Sequence, residues 1–192
     1  MPRTMEIPIR PLTAEAFRPY GTVVMPEMGV ATWQRPGLDA WTLDFALEGA
    51  PQIKLVRYHY RAPAVGQEFS VLERHITVTE TRMPLAGSRG VLVVAPPTAI
   101  GQGPTKPSLD RLRAFHIDGK RGVMLAKGTW HALDCYPVVA PVTDFLFITE
   151  EETEIEVEKL DDMSRARRTE MIDMEAVDGV RFRIVDPDRL CS

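Results

Sequence analysis

The sequence predicts an all-β chain folded as a barrel or jelly roll, with a few short helices at its periphery. Three observations carry that prediction. Short runs rich in Val, Ile, Thr and Phe recur at intervals of roughly eight to twelve residues, divided by Gly, Pro and Asp-Gly. Helix signals are confined to the two ends of the chain. Residues 91–94 are wholly apolar, as a strand buried on both faces is.

In order, residues 6–10 read as a strand. Thr13 is an N-cap for a short helix at 14–18, with Glu15 in the first turn, where the helix dipole favours an acid. Pro19, Tyr20 and Gly21 end it, and 22–25 is a strand. Residues 26–52, with Trp33, Pro36, Gly37 and Trp41, have no clear period. Residues 53–61 alternate: Lys54, Val56, Tyr58 and Tyr60 share one face, while Leu55, Arg57, His59 and Arg61 share a wetter, basic one. After a Pro/Gly break at 63–66, a β-type run begins at 72. A turn at 84–90 leads into 91–94, and the Pro-rich stretch 96–107 reads as a loop. Residues 112–117 and 122–126 flank an Asp118-Gly119 turn, and 144–149 is a further apolar strand. The acidic run 150–158 reads as a solvated edge strand. Residues 161–174 read as a charged helix in which Ser164 is a poor cap and Arg165, Arg167 and Arg168 are exposed, and 180–185 as a last strand. The expected division is a barrel over 1–160 and an extension over 161–192 that serves as a dimer arm.

At 192 residues, one domain with a full core is expected, and 44% hydrophobic and 26% charged residues are ordinary for a globular protein. A net charge of −4 argues against nucleic acid or acidic membranes as partners. The two cysteines, Cys135 and Cys191, form no CxxC pair. Without a signal-like N-terminus or an apolar run near 18 residues, the cytoplasm is the expected location. Cys135 reads as a small buried hydrophobe.

The chemistry is concentrated in LERHITVTETRMPLAG at 72–87. On a strand, Glu73 and His75 point the same way and Arg74 the other. Glu80 falls on the opposite parity and joins the first two only if a turn or bulge intervenes at 76–79. A second segment, Lys127-Gly128-Thr129-Trp130-His131, can bring another donor to the same place.

The spacing Glu73-x-His75-x4-Glu80-x6-Gly87 resembles the first motif of the cupins, with Glu73 in place of the usual His. Gly122-x5-Gly128-x2-His131 partly matches their second. More specifically, the chain resembles the ureidoglycolate lyase family through PLTAEAFRPYG at 11–21, LERH at 72–75, MPL at 83–85 and VLVVAPP at 91–97. LRAF at 112–115, GTWH at 128–131 and TDFLFI at 143–148 continue the likeness.

The resemblance implies a cupin-type barrel, a small-molecule ureide substrate, a homodimer, and nickel or another divalent ion. A mixed imidazole and carboxylate set also suits Mn, Fe or Zn. The candidate metal ligands are His75, Glu80 and His131, with Glu73 as a fourth ligand or the base. The candidate catalytic set is Glu73, His75, Lys127 and His131. Arg74 and Lys127 are candidates for holding a carboxylate. Arg113 and Asp144 match family words and are candidate substrate contacts, with a structural ion pair as their other reading.

The chain departs from the family at QRPG (34–37) and TLDFALE (42–48), where relatives carry an Asn-Asn-Gly and a His-Asp-Leu word. It also has Glu80 where they usually have Gln. These departures leave room for a related lyase acting on another hydroxy-acid adduct, or for a non-catalytic binding barrel.

Overall fold

A computed structural model describes residues 2–26, 29–100, 105–139, 141–159, 162 and 165–191. The chain begins with β1 (Arg3–Pro11), α1 (Ala14–Phe17) and β2 (Gly21–Val24), then a small hairpin of β3 (Trp33–Arg35) and β4 (Leu38–Ala40). There follow β5 (Pro51–His59), β6 (Glu68–Phe69), β7 (Val71–His75), β8 (Glu80–Pro84) and β9 (Gly90–Ala95). A single 3-10 turn (Leu109–Arg111) precedes β10 (Arg113–Ile117), β11 (Gly122–Leu125), β12 (Trp130–Ala132), β13 (Tyr136–Pro137) and β14 (Val142–Glu150). The last elements are α2 (Glu151–Lys159), β15 (Thr169–Asp173), α3 (Met174–Asp178) and β16 (Val180–Val185). Among the described residues, no helix is long and apolar enough to cross a membrane.

Two large sheets face each other, giving the expected all-β barrel or jelly-roll form with short peripheral helices. One runs in the order β15-β7-β12-β9-β10-β1-β16-β6, with β13 also paired to β9. The other runs β2-β11-β8-β14-β5. Strand parity divides the large sheet between two cores. Leu92 and Val94 of β9 enter the space between the sheets with Phe17, Phe115, Phe145 and Phe147. Val91, Val93 and Ala95 enter a second core on the outer face with Ile7, Ile9, Leu72, Trp130 and Phe182. That is why 91–94 carries no polar alternation. In the middle of this sheet β1 runs parallel to both neighbours, pairing Ile9 with Ala114 of β10 and Arg3 with Val180 of β16.

Thr13 caps α1 as expected, its Oγ1 accepting from Ala16 N at 3.2 Å. In the unpatterned region, Pro36-Gly37 turns the β3–β4 hairpin, with Gly37 at φ 80°.

Two expectations fail. Residues 151–159 form helix α2, not an edge strand. Glu and Lys are good helix formers, and Glu151, Glu152 and Glu154 lie in the first turn, where the dipole favours acids. Lys54 Nζ reaches both Glu154 and Glu158, at 2.5 Å each. Residues 169–173, expected to be helical, form strand β15 against β7, with Thr169 opposite His75. Ser164, the poor cap of that expected helix, lies outside the described residues. The segment after 160 thus contributes β15 and β16 to the large sheet, and Met174 and Phe182 to its outer core.

A carboxylate ties the helix to the barrel. Glu150, fully buried, accepts from Glu48 N at 2.9 Å, Thr77 Oγ1 at 2.6 Å, Thr153 Oγ1 at 2.7 Å and Arg168 Nη1 at 2.8 Å. Gly49 N is a further donor to it. One side chain therefore joins the 48–49 segment, the turn after β7, the start of α2 and the chain leading into β15.

Candidate metal centre

The centre lies between the sheets, and three strands supply it. On β7, Leu72 takes the outer core, so Glu73 and His75 face inward. On β12, Trp130 and Ala132 take the outer core, so His131 faces inward, directly opposite Glu73 in the ladder. The turn at 76–79 ends β7, and β8 resumes in the other sheet, so Glu80 and Arg82 face the same space from across the barrel. Gly128 permits the approach of β12. It sits at φ 77° and donates its N–H to the His75 carbonyl at 2.7 Å, a conformation that favours glycine.

Glu73, His75 and His131 each offer one ligand atom, and these atoms lie within 4.8 Å of one another. The His75 and His131 ring centroids are 5.1 Å apart, and Glu73 Oε1 is 3.7 Å from His131 Nδ1. His131 Nδ1 lies 3.0 Å from the Ala132 carbonyl, which can only accept. The same Nδ1 also faces Arg82 Nη2, which can only donate, so the two contacts favour opposite tautomers; with the proton on Nδ1, toward the carbonyl, the lone pair of Nε2 is open. His75 Nδ1 is fixed by Thr169 Oγ1 at 3.1 Å, and its Nε2 faces Glu80 Oε2 at 3.5 Å.

The carboxylate in this group is Glu73, where the sequence pointed to Glu80 as a metal ligand. Glu80 is held instead by Arg82, whose Nε makes a short hydrogen bond to Oε1. Arg82 is the residue that sequence reading missed. It lies two positions from Glu80 on one strand, so parity alone would have placed both on one face. Its Nη2 approaches His131 Nδ1 at 3.2 Å, and its guanidinium lies 4.8 Å from the centre of the Phe147 ring. Thr169 was also missed, because its pairing with β7 is not visible locally.

Burial pushes the Glu73 carboxyl up to about 7, against the opposing pull of His75 and Arg82. Burial alone would lower His75, but the Glu80 hydrogen bond and the Glu80 and Glu73 charges outweigh it and raise the ring. His131 falls well below its ordinary value through burial and the neighbouring Arg82 charge, and is neutral. Burial opposes ionisation of Glu80, yet Arg82 and His75 hold it far below the usual carboxylate range.

The residues present fit a divalent cation. Among the described residues, five buried side-chain polar atoms lack a hydrogen-bond partner, and three are Glu73 Oε2, His131 Nε2 and Arg82 Nη1. Glu73 Oε2 is an acceptor, and so is His131 Nε2 when its ring proton sits on Nδ1. Two imidazoles and a carboxylate suit a borderline transition-metal ion, and the Thr169 contact supplies the outer support such a histidine needs.

The other predicted residues lie elsewhere. Arg74 is fully buried on the outer side of β7, bonded to Glu170, Thr98 and Thr105, and stacked 4.7 Å from the Trp130 ring centre. Lys127 pairs with Glu48 at 3.1 Å in a partly exposed position. Arg113 Nη1 donates to the Asp110 and Leu112 carbonyls. Asp144 is bound to Arg57 at 2.7 and 2.9 Å.

A space of about 150 Å³ lies beside the centre, lined by His75, Val78, Glu80, Leu125, Ala126, Thr129 and His131. A larger cleft of about 750 Å³, with Val24, Trp41, Leu43, Met83 and Lys120 in its walls, contains none of the predicted site residues. Cys135 is buried, its thiol pushed up to about 12 by desolvation, and carries no nucleophile chemistry.

A family model described as ureidoglycolate lyase matches residues 4–166. A protein named ureidoglycolate lyase from Burkholderia cepacia is 35% identical over 147 residues, covering 71% of this chain and 75% of that one. One of the same name from Escherichia coli (strain HS) is 34% identical over 149 residues, covering 75% of this chain and 87% of that one. Among solved structures, RmlC from Streptococcus suis in complex with dTDP-D-xylose aligns over 53% of this chain and 44% of its own, with 10% identity and a TM-score of 0.32. The dTDP-4-dehydrorhamnose 3,5-epimerase of Bacillus anthracis aligns over 52% of each chain, with 13% identity and a TM-score of 0.33. Both structural overlaps are partial.

Proposed function

The chain belongs to the ureidoglycolate lyase family, and from that premise we propose that it cleaves ureidoglycolate to glyoxylate and urea at the Glu73, His75 and His131 centre. The observation that carries this reading is the pair of buried, partnerless acceptors, Glu73 Oε2 and His131 Nε2, in one ligand group. Leaving such atoms dry and unbonded costs on the order of 1–3 kcal/mol each, which a bound cation and substrate would offset.

The substrate carries a hydroxyl, a carboxylate and a urea nitrogen on one carbon. Cleavage moves one proton from that oxygen to that nitrogen. As oxygen loses its proton, a carbonyl forms, the carbon–nitrogen bond breaks, and its electron pair leaves on nitrogen. A divalent cation held by His75, His131 and one oxygen of Glu73 would supply the Lewis acidity that makes the hydroxyl easier to ionise. The second Glu73 oxygen takes the hydroxyl proton and returns it to the departing nitrogen, so one carboxyl serves as base and then acid. Thr169 holds the His75 ring in register. The tight packing of Val78 and Leu125 around the centre keeps bulk water away. Nickel is the ion this family membership favours, with manganese, iron and zinc as chemically suitable alternatives.

The assay is release of glyoxylate and urea from racemic ureidoglycolate by metal-stripped protein, and by protein given back each divalent ion. Turnover restored by one ion supports the reading. Stoichiometric metal binding with no turnover under any ion would refute the substrate assignment.

The protein also pairs as a homodimer in this proposal. Strand β5 ends its sheet, and Ile53 and Leu55 on it are 69% and 77% exposed. A monomeric mass by light scattering at micromolar concentration would refute that. A cytoplasmic location fits two free cysteines, and cell fractionation tests it.

A further inference from the structure

The metal centre has a counterpart on the other side of the same strands. Along β7 the chain reads Glu73, Arg74, His75, so Arg74 points outward between two inward-facing residues of the centre. On β12, Trp130 points outward beside His131. On β15, Glu170 lies directly opposite Arg74, next to Thr169, which lies opposite His75. The three outward side chains meet. Arg74 Nε and Nη2 donate to Glu170 Oε2 at 3.0 and 2.8 Å, and the guanidinium lies 4.7 Å from the Trp130 ring centre. Its remaining donors are also engaged. Nη1 donates to the Thr98 carbonyl at 2.9 Å and to the Thr98 hydroxyl at 2.8 Å, and Nη2 to Thr105 Oγ1 at 2.9 Å. Trp130 Nε1 donates to the same Thr98 hydroxyl at 3.0 Å.

Packing alone does not ask for such a residue. Arg74 is fully buried, and a buried ion pair is often no more stabilising than apolar side chains of the same volume. What a guanidinium adds is direction, because its planar fork fixes its partners in distance and angle. Strand β15 has use for that. It is the terminal strand of its sheet, paired with β7 alone among the described residues, and it is 5 residues long. A slip of one residue would turn Thr169 to the outer face. Thr169 Oγ1, 3.1 Å from His75 Nδ1, is the contact that sets the His75 ring, and metal ligands must be held to within about 0.5 Å and 10–20° of their working geometry.

We infer that Arg74 is a positioning residue for the metal centre: through Glu170 it holds β15 in register, and so keeps Thr169 on the His75 ring. The inference rests on the metal-centre reading above and gives Arg74 a task that needs no contact with substrate. Glu170 is 36% exposed, so replacing Arg74 by an apolar residue leaves no dry, unpaired charge behind.

The test is a double-mutant cycle of Arg74→Met and Thr169→Val in the full chain, read by nickel affinity in a competitive chelator titration. Arg74→Met is expected to lower nickel affinity about tenfold or more in the wild-type background. In the Thr169→Val background it is expected to cost less than about twofold, since the contact it works through is already gone. An Arg74 that only supports the fold would lower affinity by the same factor in both backgrounds. That result, or no loss in the wild-type background, would overturn the inference. A second reading needs no metal. The ring-nitrogen NMR signals of His75 in metal-free protein, identified by their loss in His75→Ala, are expected to move in Arg74→Met as they do in Thr169→Val. Unmoved signals would overturn the inference whether or not nickel binds. Moved signals in a protein that takes up no nickel would refute the metal centre while the positioning of His75 by Arg74 stands. Should Arg74→Met not fold, Arg74→Lys, which keeps the charge and loses the fork, goes through the same cycle with the same criteria.

Discussion

Replacing Glu150 with Gln keeps the shape of the side chain and removes its charge. In the native protein five donors from four segments converge on this carboxylate. Burial opposes its ionisation, but the Thr77 and Thr153 hydroxyls and the Glu48 and Gly49 amides outweigh that and bring it from 4.5 to about 2. At about 1.36 kcal/mol per unit, that difference corresponds to roughly 3 kcal/mol of stability at neutral pH. The folded-state value is depressed, so the contribution is present in full above the unfolded value near 4.5 and is lost as pH falls toward 2. Urea unfolding of metal-free protein should therefore show Glu150→Gln less stable than wild type by about 2–3 kcal/mol at pH 7. The gap should shrink to about half of that at pH 3, as the wild-type carboxyl takes up its proton. A gap below about 1 kcal/mol at pH 7, or one of equal size at pH 7 and pH 3, would refute the assignment of Glu150 as the ionised centre of this junction.

His75→Ala and His131→Ala should each lower glyoxylate release by a factor of about a hundred or more and abolish stoichiometric metal uptake, read by elemental analysis of the dialysed protein. Thr169→Val should leave the unfolding midpoint nearly unchanged while weakening metal affinity about tenfold to a hundredfold, because only the support of the His75 ring is lost; unaltered affinity in a competitive chelator titration would count against that role. Lys127→Ala should change kcat/KM by less than about threefold and stability by less than about 1 kcal/mol, since the side chain pairs with Glu48 in a partly exposed position. A loss of several orders of magnitude there would restore Lys127 to the reaction.

Parity made the inward half of the centre legible. Glu73 and His75 are two apart, and Leu72 and Trp130 beside the site residues are large and apolar, so the facing of β7 and β12 follows from alternation alone. The turn at 76–79 was legible only as a requirement, because no Gly or Asn marks it. It nevertheless exists and moves the chain from one sheet to the other. What could not be read was pairing between distant segments. Nothing local to 169–173 states that Thr169 lies opposite His75, and a charged stretch preceding it reads as a helix surface. Arg82 escaped for a different reason: a charged residue in a strand is normally taken to face water, and only its Glu80 partner makes burial tolerable. Helix α2 was misread because Ile155 and Val157 mimic β-alternation, whereas its tie to Lys54 lies about a hundred residues away in the chain.

The placement of β1 has a consequence for biosynthesis. It is a central strand of the large sheet, yet one of its two edges waits for β16, so Arg3 finds its partner only when Val180 has been made. A nascent chain that has not yet reached β16 therefore leaves that edge of β1 without its pairing partner, along a strand containing Ile7 and Ile9. Parallel, long-range pairings of this kind close slowly and leave an aggregation-prone edge meanwhile. The alternation of Glu6 and Arg10 with Met5, Ile7 and Ile9 along that strand is the protection the sequence itself provides during the wait.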